Sequence, residues 1–323
     1  MFKNLTFTDI ILSMPPYLFM MFRVFISTFI FVKNPQEIFL FILGFKKYAN
    51  LNFKDGENIT VKNIFEFITQ IRKRLALNVL TKNGIETQIK DKVVIIKTPK
   101  HKIKLFCDDE KQFVDNLDNF IEQFITGEYK LLNIKNKTVL DIGANIGDST
   151  LYFALNGAKH VIALEPYPYS YNLAKKNITL NHMQNKVTLL NEAIGAKETF
   201  IILDENYRST GCDDIKMSKQ GKKIKVTTLD ALVKKFNIKN AALKMDCEGA
   251  EYDAILNATN ETLRKFDQII IETHYGYMNL EKKLREAGFQ CRHVIKQYFY
   301  NRYAQNRHMF LLLLFAERGI KST

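Results

Sequence analysis

From Lys137 onward, short uninterrupted apolar runs alternate with helix-forming segments, and this alternation restricts the fold more than any other feature of the chain. Thr138–Asp141 reads as a strand and Ser149–Leu155 as a helix closed by Gly157. His160–Glu165 reads as a strand, Ser170–Asn177 as a helix and Val187–Leu190 as a third strand. Ala242–Asp246 and Gln268–Thr273 are two further continuous apolar runs. Strands that are apolar on both faces belong in a mostly parallel sheet covered by helices on either side, which is an α/β fold. Near the end, Gln290–Val294 and Phe310–Phe315 flank a polar, aromatic stretch and read as an antiparallel hairpin.

The first of these strands runs into Asp141-Ile142-Gly143-Ala144-Asn145-Ile146-Gly147-Asp148. Glycine after a strand end lets the chain turn sharply and lets a ligand approach the backbone. The helix start beyond it offers free N–H groups. The spacing is D-x-G-x-N-x-G, unlike the G-x-G-x-x-G of dinucleotide sites. Glu165-Pro166 ends the second strand 24 residues after Asp141. An acid at that place accepts both hydroxyls of a ribose. A ribose acceptor without a pyrophosphate loop points to a nucleoside cofactor lacking phosphates, and S-adenosylmethionine fits. Asp141, Gly143, Asn145, Gly147 and Glu165 are therefore the candidate cofactor residues. Glu192, after the third strand, is a further candidate near the adenine, though a solvated loop acid reads equally well.

The Asp141–Gly147 loop, Glu165-Pro166, Leu243-Lys244-Met245-Asp246-Cys247-Glu248-Gly249-Ala250-Glu251 and Ile271-Glu272-Thr273-His274 together resemble the FkbM-type family of S-adenosylmethionine-dependent methyltransferases. The resemblance covers about residues 137–275 and is weaker over 110–135. It implies a Rossmann-like class I methyltransferase sheet of order 3-2-1-4-5-7-6, with strand 7 antiparallel and supplied by the terminal hairpin. It also implies O-methylation, often of a sugar or natural-product hydroxyl. The Asp/Asn-Pro-Pro-Tyr pattern of base N-methyltransferases is absent, since the fourth strand ends in Asp-Cys-Glu-Gly.

Ligands of open α/β sheets bind beyond the carboxyl ends of the strands. Asp246 and Glu248 end the fourth strand there. Glu272 and His274 end the fifth, on one face and about 6.6 Å apart. A sulfonium methyl is already electrophilic, so the site must align an oxygen with it and help remove that oxygen's proton. His274 is the natural base near neutral pH. Asp246, Glu248 and Glu272 could orient the acceptor or bind a divalent cation that acidifies it, but no metal ligand is assigned. Glu251 reads as a first-turn acid complementing a helix dipole, Asp230 as a helix-start residue and Cys247 as packing. Arg208–Asp214 is a candidate acceptor loop, and Lys219–Lys225 reads as a solvated basic turn.

Composition narrows the partners. The 323-residue chain is 46% apolar and 25% charged, which excludes a disordered, collagen-like or multi-span membrane protein. Lys and Arg outnumber Asp and Glu by 47 to 34, and the net charge of +13 attracts polyanions without choosing among them. A hydroxyl-bearing glycan or small molecule is the first expectation for the acceptor. An RNA-directed methyltransferase and a cofactor-binding scaffold at a membrane are the alternatives. Cys107, Cys212, Cys247 and Cys291 form no C-x-x-C pair, which fits a reducing, cytoplasmic setting and neither a zinc ribbon nor a disulfide framework.

Three regions are expected: an apolar extension over 1–50, a small α+β cap over 51–135 and the methyltransferase domain over 136–323. Tyr17–Val32 is almost wholly apolar, yet its 16 residues would reach only about 24 Å as a helix. It carries Arg23 in its middle and lacks the charge order and small-residue site of a secretory leader. With Ile38–Phe45 and the lysines beside it, it reads as packing on the main domain or on a partner subunit, as peripheral membrane contact through residues 10–47, or as a short membrane-spanning segment. In the cap, Asn63–Leu77 reads as a helix, Val93–Lys97 and Ile103–Cys107 as strands around Thr98–His101, and Phe113–Ile125 as a helix ended by Gly127.

Overall fold

The computed structural model describes residues 16–208, 217–295 and 312–318. They divide into two compact units: residues 16–102 with 107–121, and residues 103–106, 122–208, 217–295 and 312–318.

The first unit opens with α1 (Pro16–Phe31) and α2 (Gln36–Ile42), followed by the antiparallel pair β1 (Ala49–Asn52) and β2 (Asn58–Val61). Next come α3 (Ile64–Lys82), β3 (Glu86–Lys90), β4 (Val93–Lys97), β5 (Lys102–Phe106), most of which belongs to the second unit, and α4 (Glu110–Phe120). Asn63 caps α3, its side chain accepting from the Glu66 N–H at 2.9 Å. The helix expected over Phe113–Ile125 becomes α4 and then a π turn at Ile121–Ile125. Val24, Val32 and Ile38 pack with Leu51, Phe53, Val61, Phe67 and Ile71, so the apolar N-terminal helices share the core of this unit. Their other face is open: Phe25, Ile26, Phe29, Ile30, Ile42, Leu43 and Phe45 are all exposed. Among the described residues no helix is long and apolar enough to cross a membrane. Arg72 bridges Asp115 and Asp118, which ties α4 to α3.

The second unit is built on β6 (Thr138–Ile142), α5 (Asp148–Leu155), β7 (His160–Leu164), α6 (Pro168–Leu180), β8 (Val187–Leu190), β9 (Glu192–Ile194), β10 (Thr199–Leu203) and β11 (Lys222–Thr227). It continues through α7 (Leu229–Lys235), β12 (Ala241–Met245), α8 (Ala250–Asn257), α9 (Asn260–Leu263), β13 (Phe266–Thr273), α10 (Met278–Glu286), β14 (Gln290–Ile295) and β15 (Leu312–Glu317). The seven-stranded sheet has the order β8-β7-β6-β12-β13-β15-β14. Counted along the chain this is 3-2-1-4-5-7-6, with β15 antiparallel to both its neighbours and the other pairs parallel. The continuous apolar runs are explained by burial on both faces. Leu140, Ile142, Leu243, Met245, Ile269 and Ile271 enter one core. The alternate residues Val139, Ala242, Ile270 and Phe315 enter the other.

A second, three-stranded sheet of order β10-β11-β9 was not legible in the sequence. Lys219–Lys225, read as a basic turn, is one only at its start. From Lys222 it is a strand, in which Ile224 and Val226 are buried between outward lysines. Of the expected terminal strand Phe310–Phe315, residues 310 and 311 lie outside the described residues.

Candidate active site

The loop after β6 is framed by buried charge. Asp141 is fully buried, and its Oδ2 accepts from Ser149 Oγ at 2.8 Å and Thr150 Oγ1 at 2.6 Å in the first turn of α5. Its Oδ1 lies 3.2 Å from Nζ of Lys244, the charged residue inside the apolar run of β12. Lys244 also donates to the Gly143 carbonyl at 2.7 Å. Burial works against its ammonium, but Asp141, Asp246 and Asp148 outweigh that and hold its pKa above the usual value. Asp141, expected at the cofactor, is thus engaged in holding the loop to the sheet.

Two glycines are dictated by space. Gly143 has φ +79°, and a Cβ there would sit 1.8 Å from the Asp246 carbonyl oxygen. Gly147 has φ +83°, and a Cβ would lie 3.1 Å from Cα of Ala174 in α6. The loop is tied down from both sides. The Gly143 and Ala144 N–H groups donate to Leu164 O, and the buried Asn177 amide donates to Ile146 O at 2.8 Å.

Glu165 closes the loop from β7. Its Oε2 accepts the Asn145 N–H at 2.8 Å and its Oε1 the Tyr167 N–H at 2.9 Å. Asn145 itself stands at φ +47°. Burial pushes the Glu165 carboxyl up to about 7, against the opposing pull of these two N–H groups. Asn191 donates to the carbonyls of Glu165 and Pro166 at 2.9 and 2.8 Å. Asn191 Oδ1 and Glu192 Oε2 are buried acceptors with no hydrogen-bond partner among the described residues. Glu192 Oε1 lies 3.4 Å from Lys235 Nζ, and Glu192 opens β9 instead of sitting in a loop.

The ends of β12 and β13 bring four carboxylates to one imidazole. His274 Nε2 lies 3.1 Å from Glu248, 3.9 Å from Asp246 and 4.0 Å from Glu272. His274 Nδ1 lies 2.8 Å from Glu251 Oε1. Glu251 is fully buried, and its Oε2 accepts the Gly249 N–H at 2.9 Å. It therefore orients the imidazole and does more than complement the dipole of α8. Burial would lower the His274 pKa, but hydrogen bonds with Glu248 and Glu251 hold it well above the imidazole range. Burial likewise raises Glu248. Both ring nitrogens of His274 thus face carboxylates. Asp246 is the most open of the group, its side chain 29% exposed. Burial also raises the Cys247 thiol well above its usual pKa. Of the candidate loop Arg208–Asp214, residues 209–214 lie outside the described residues.

A seven-stranded sheet of this order, with a glycine loop after its first strand and a buried acid after its second, defines a class I S-adenosylmethionine-dependent methyltransferase domain. The family model described as the methyltransferase FkbM domain matches residues 141–305. The chain belongs to the FkbM methyltransferase family, whose cofactor is S-adenosylmethionine. A curated protein of Methanocaldococcus jannaschii, provisionally named a protein N5-glutamine methyltransferase, is 33% identical over 86 residues. That match covers 26% of this chain and 44% of the relative, so the chain spans less than half of that protein's length. Among solved structures, an S-adenosylmethionine-dependent O-methyltransferase from Thermotoga maritima is 13% identical, covers 86% of this chain and 94% of that one, and has a TM-score of 0.40. The TrmK structure of M. capricolum with S-adenosyl-homocysteine is 15% identical, covers 58% and 64%, and scores 0.33. Both are remote likenesses.

The residues present fit this cofactor. Glu165 keeps lone pairs on both oxygens for a ribose diol, and the orphaned acceptors of Asn191 and Glu192 match the donor chemistry of an adenine amino group. Sequence reasoning missed Asn191, Glu251 and Lys244 as site residues. Only Lys244 carried a signal, since a lysine inside a doubly buried strand must meet a carboxylate.

Proposed function

We propose that the protein transfers the methyl group of S-adenosylmethionine to a hydroxyl oxygen of a glycan or small molecule. The observation that carries this reading is the adjacency of the two half-sites. Gly143 of the loop after β6 packs against the Asp246 carbonyl, and the Asp246 N–H donates to Ile142 O at 3.1 Å. The carboxylate–imidazole group thereby stands beside the loop proposed to hold the cofactor.

When bound, the cofactor supplies an electrophilic methyl group. The chain's own residues supply position. Glu165 holds the ribose end, with Asn145, Gly143 and Gly147 shaping the loop and Glu192 and Asn191 bordering the adenine. At the other end, Asp246 and Glu248 accept the hydrogen bond of the acceptor hydroxyl and take its proton as the oxygen is methylated. Glu272 adds negative charge behind them, and Glu251 and His274 fix the geometry. The test is transfer of label from methyl-labelled cofactor to a purified acceptor as a base-stable ether. Label in a base-labile ester or on nitrogen overturns the hydroxyl assignment. The charge of +13 favours RNA as the second reading of the acceptor, and a steep fall of activity with salt would support it.

The location proposed is the cytoplasm, on a membrane surface. Cys107, Cys247 and Cys291 are free thiols. Exposed Phe25, Phe29, Ile30, Leu43 and Phe45 form an apolar face beside exposed Lys33, Lys46, Lys47 and Lys54. Aromatic and aliphatic side chains rimmed by lysines suit an anionic lipid interface.

A further inference from the structure

Unused hydrogen-bond acceptors stand at successive places along the carboxyl ends of the main sheet. Asn191 Oδ1 and Glu192 Oε2, after β8, are buried and accept no hydrogen bond among the described residues. Glu165, after β7, keeps lone pairs beyond the two N–H groups that it accepts. A further acceptor stands at the start of α5, after β6. The Gln123 side chain is only 5% exposed, and its Nε2 donates to Asp148 Oδ2 at 2.7 Å. Its Oε1 is buried and accepts no hydrogen bond among the described residues. A carboxylate can only accept, so the amide nitrogen must face Asp148 and the amide oxygen turns elsewhere. A buried amide oxygen left without a donor is costly, which is why such atoms nearly always have a partner.

The segment that carries Gln123 is fixed against the cofactor loop by packing. Phe124 meets Tyr152 of α5 edge to face, with ring centroids 5.1 Å apart, and Tyr129 lies 5.3 Å from Phe153 of the same helix. The Tyr129 ring is also 6.0 Å from Nζ of Lys244, the group that holds the Gly143 carbonyl. Gln123 is thus placed before β6 in the chain but beside the turn after β6 in space.

The cofactor offers donors at three points: the adenine amino group, the ribose hydroxyls and the α-ammonium of its amino-acid end. They follow one another along the molecule in that order. The strands follow one another as β8-β7-β6. Adenine bordered by Asn191 and Glu192, and ribose at Glu165, leave the amino-acid end over β6 and the start of α5. The donor not yet matched is the ammonium, and Gln123 Oε1 is the acceptor not yet matched. The Asp148 carboxylate beside it adds negative charge suited to a cation, and hydrogen bonds from charged donors are the stronger ones.

We infer that Gln123 Oε1 accepts a hydrogen bond from the α-ammonium group of S-adenosylmethionine, with Asp148 beside it, so that the segment before β6 closes the amino-acid end of the cofactor site. Gln123 lies outside residues 141–305, which the family model matches. The inference rests on the proposed placing of ribose at Glu165 and of adenine at Asn191 and Glu192. Its consequence is selectivity: a nucleoside that lacks the amino-acid end leaves Gln123 Oε1 without a donor.

The test is calorimetric titration of the full chain with S-adenosylhomocysteine and with 5′-methylthioadenosine, which keeps adenine and ribose and lacks the amino-acid end. Gln123→Leu should weaken S-adenosylhomocysteine about tenfold or more and 5′-methylthioadenosine by less than about twofold. A merely structural role would weaken both ligands alike. Gln123→Met replaces the first variant if that fails to fold, and thermal melting shows which variants are folded. A measurement on the wild type needs no variant: the desamino analogue of S-adenosylhomocysteine should bind about tenfold or more weakly than S-adenosylhomocysteine itself. Unchanged S-adenosylhomocysteine affinity in a folded variant, equal weakening of both ligands, or equal binding of the desamino analogue by the wild type overturns the inference. Glu165→Ala should weaken both ligands, since both keep the ribose. If it weakens neither, the proposed placing of the ribose falls, and a selective loss in Gln123→Leu still supports the ammonium contact.

Discussion

Glu251 Oε1 and His274 Nδ1 lie 2.8 Å apart although 23 residues separate them, and the carboxylate is fully buried at the start of α8. This bond fixes the imidazole from behind and leaves its other nitrogen facing Asp246, Glu248 and Glu272. Glu251→Gln keeps the shape but removes the charge. It should cost about 1–3 kcal/mol of stability, the usual loss at a buried charged hydrogen bond. Turnover should fall at least about tenfold while cofactor affinity holds, because Glu251 acts only through His274. Denaturant midpoints and calorimetry with S-adenosylhomocysteine check this. An unchanged turnover number in a folded variant contradicts the positioning role.

Glu165 is predicted to govern cofactor affinity. Glu165→Ala should weaken S-adenosylmethionine binding by about 1–3 kcal/mol, and calorimetry on the folded variant measures it. Wild-type affinity in that variant removes Glu165 from the site.

The same residue sets a pH dependence. Burial raises the Glu165 carboxyl to about 7. Relative to its neutral form, the ionised carboxylate is therefore a burden on the folded state that appears as pH rises through about 7. A ribose diol donates to the ionised form, so binding favours proton loss. Affinity should rise with pH across roughly 6 to 8 and fall by about tenfold one unit below the pKa. Glu165→Gln should flatten that profile. A wild-type affinity independent of pH over this range contradicts the assignment.

The two loop glycines should differ in severity. Gly143→Ala places a methyl 1.8 Å from the Asp246 carbonyl, whereas Gly147→Ala places one 3.1 Å from Ala174. The first cannot be relieved without moving β12 from β6, so it should cost more than about 3 kcal/mol. The second, strained mainly by its positive φ, should cost about 1–2 kcal/mol. Chemical denaturation of both variants ranks them, and the reverse order contradicts the contact.

The central strands β6, β7, β12 and β13 could be read from the sequence because each apolar run is buried on two faces, whereas the edge strands β8 and β14 are only partly buried. The cofactor loop was legible for the same reason: its glycines mark backbone that side chains cannot follow. The support behind the site was not legible. Glu251 looks like any first-turn acid until β13 brings His274 against it, and Asn191 looks like any loop amide until its bonds to Glu165 and Pro166 are seen. Strand-end position alone did not disclose that the Asp141 carboxylate turns toward Ser149, Thr150 and Lys244. The three-stranded sheet β10-β11-β9 was hidden because β11 alternates lysine with apolar residues over a short span.

The exposed face of α1 and α2 predicts binding to anionic vesicles. Removing residues 1–49 is a poor test, because Val24, Val32 and Ile38 belong to the core of their unit. Leu43→Ser with Phe45→Ser removes two side chains that are 68% and 75% exposed and leaves that core intact. Flotation with phosphatidylserine-containing vesicles should fall by about tenfold or more. Wild-type protein that never floats contradicts membrane contact.

Incubating the full chain with methyl-labelled S-adenosylmethionine and an extract separated into glycan, small-molecule, lipid and RNA fractions tests the proposed activity most directly. Label should enter the glycan or small-molecule fraction as a base-stable ether, and Asp246→Asn should reduce it about a hundredfold while still binding cofactor. Label that appears only in RNA, or in no fraction at all, would contradict hydroxyl methylation of a glycan or small molecule.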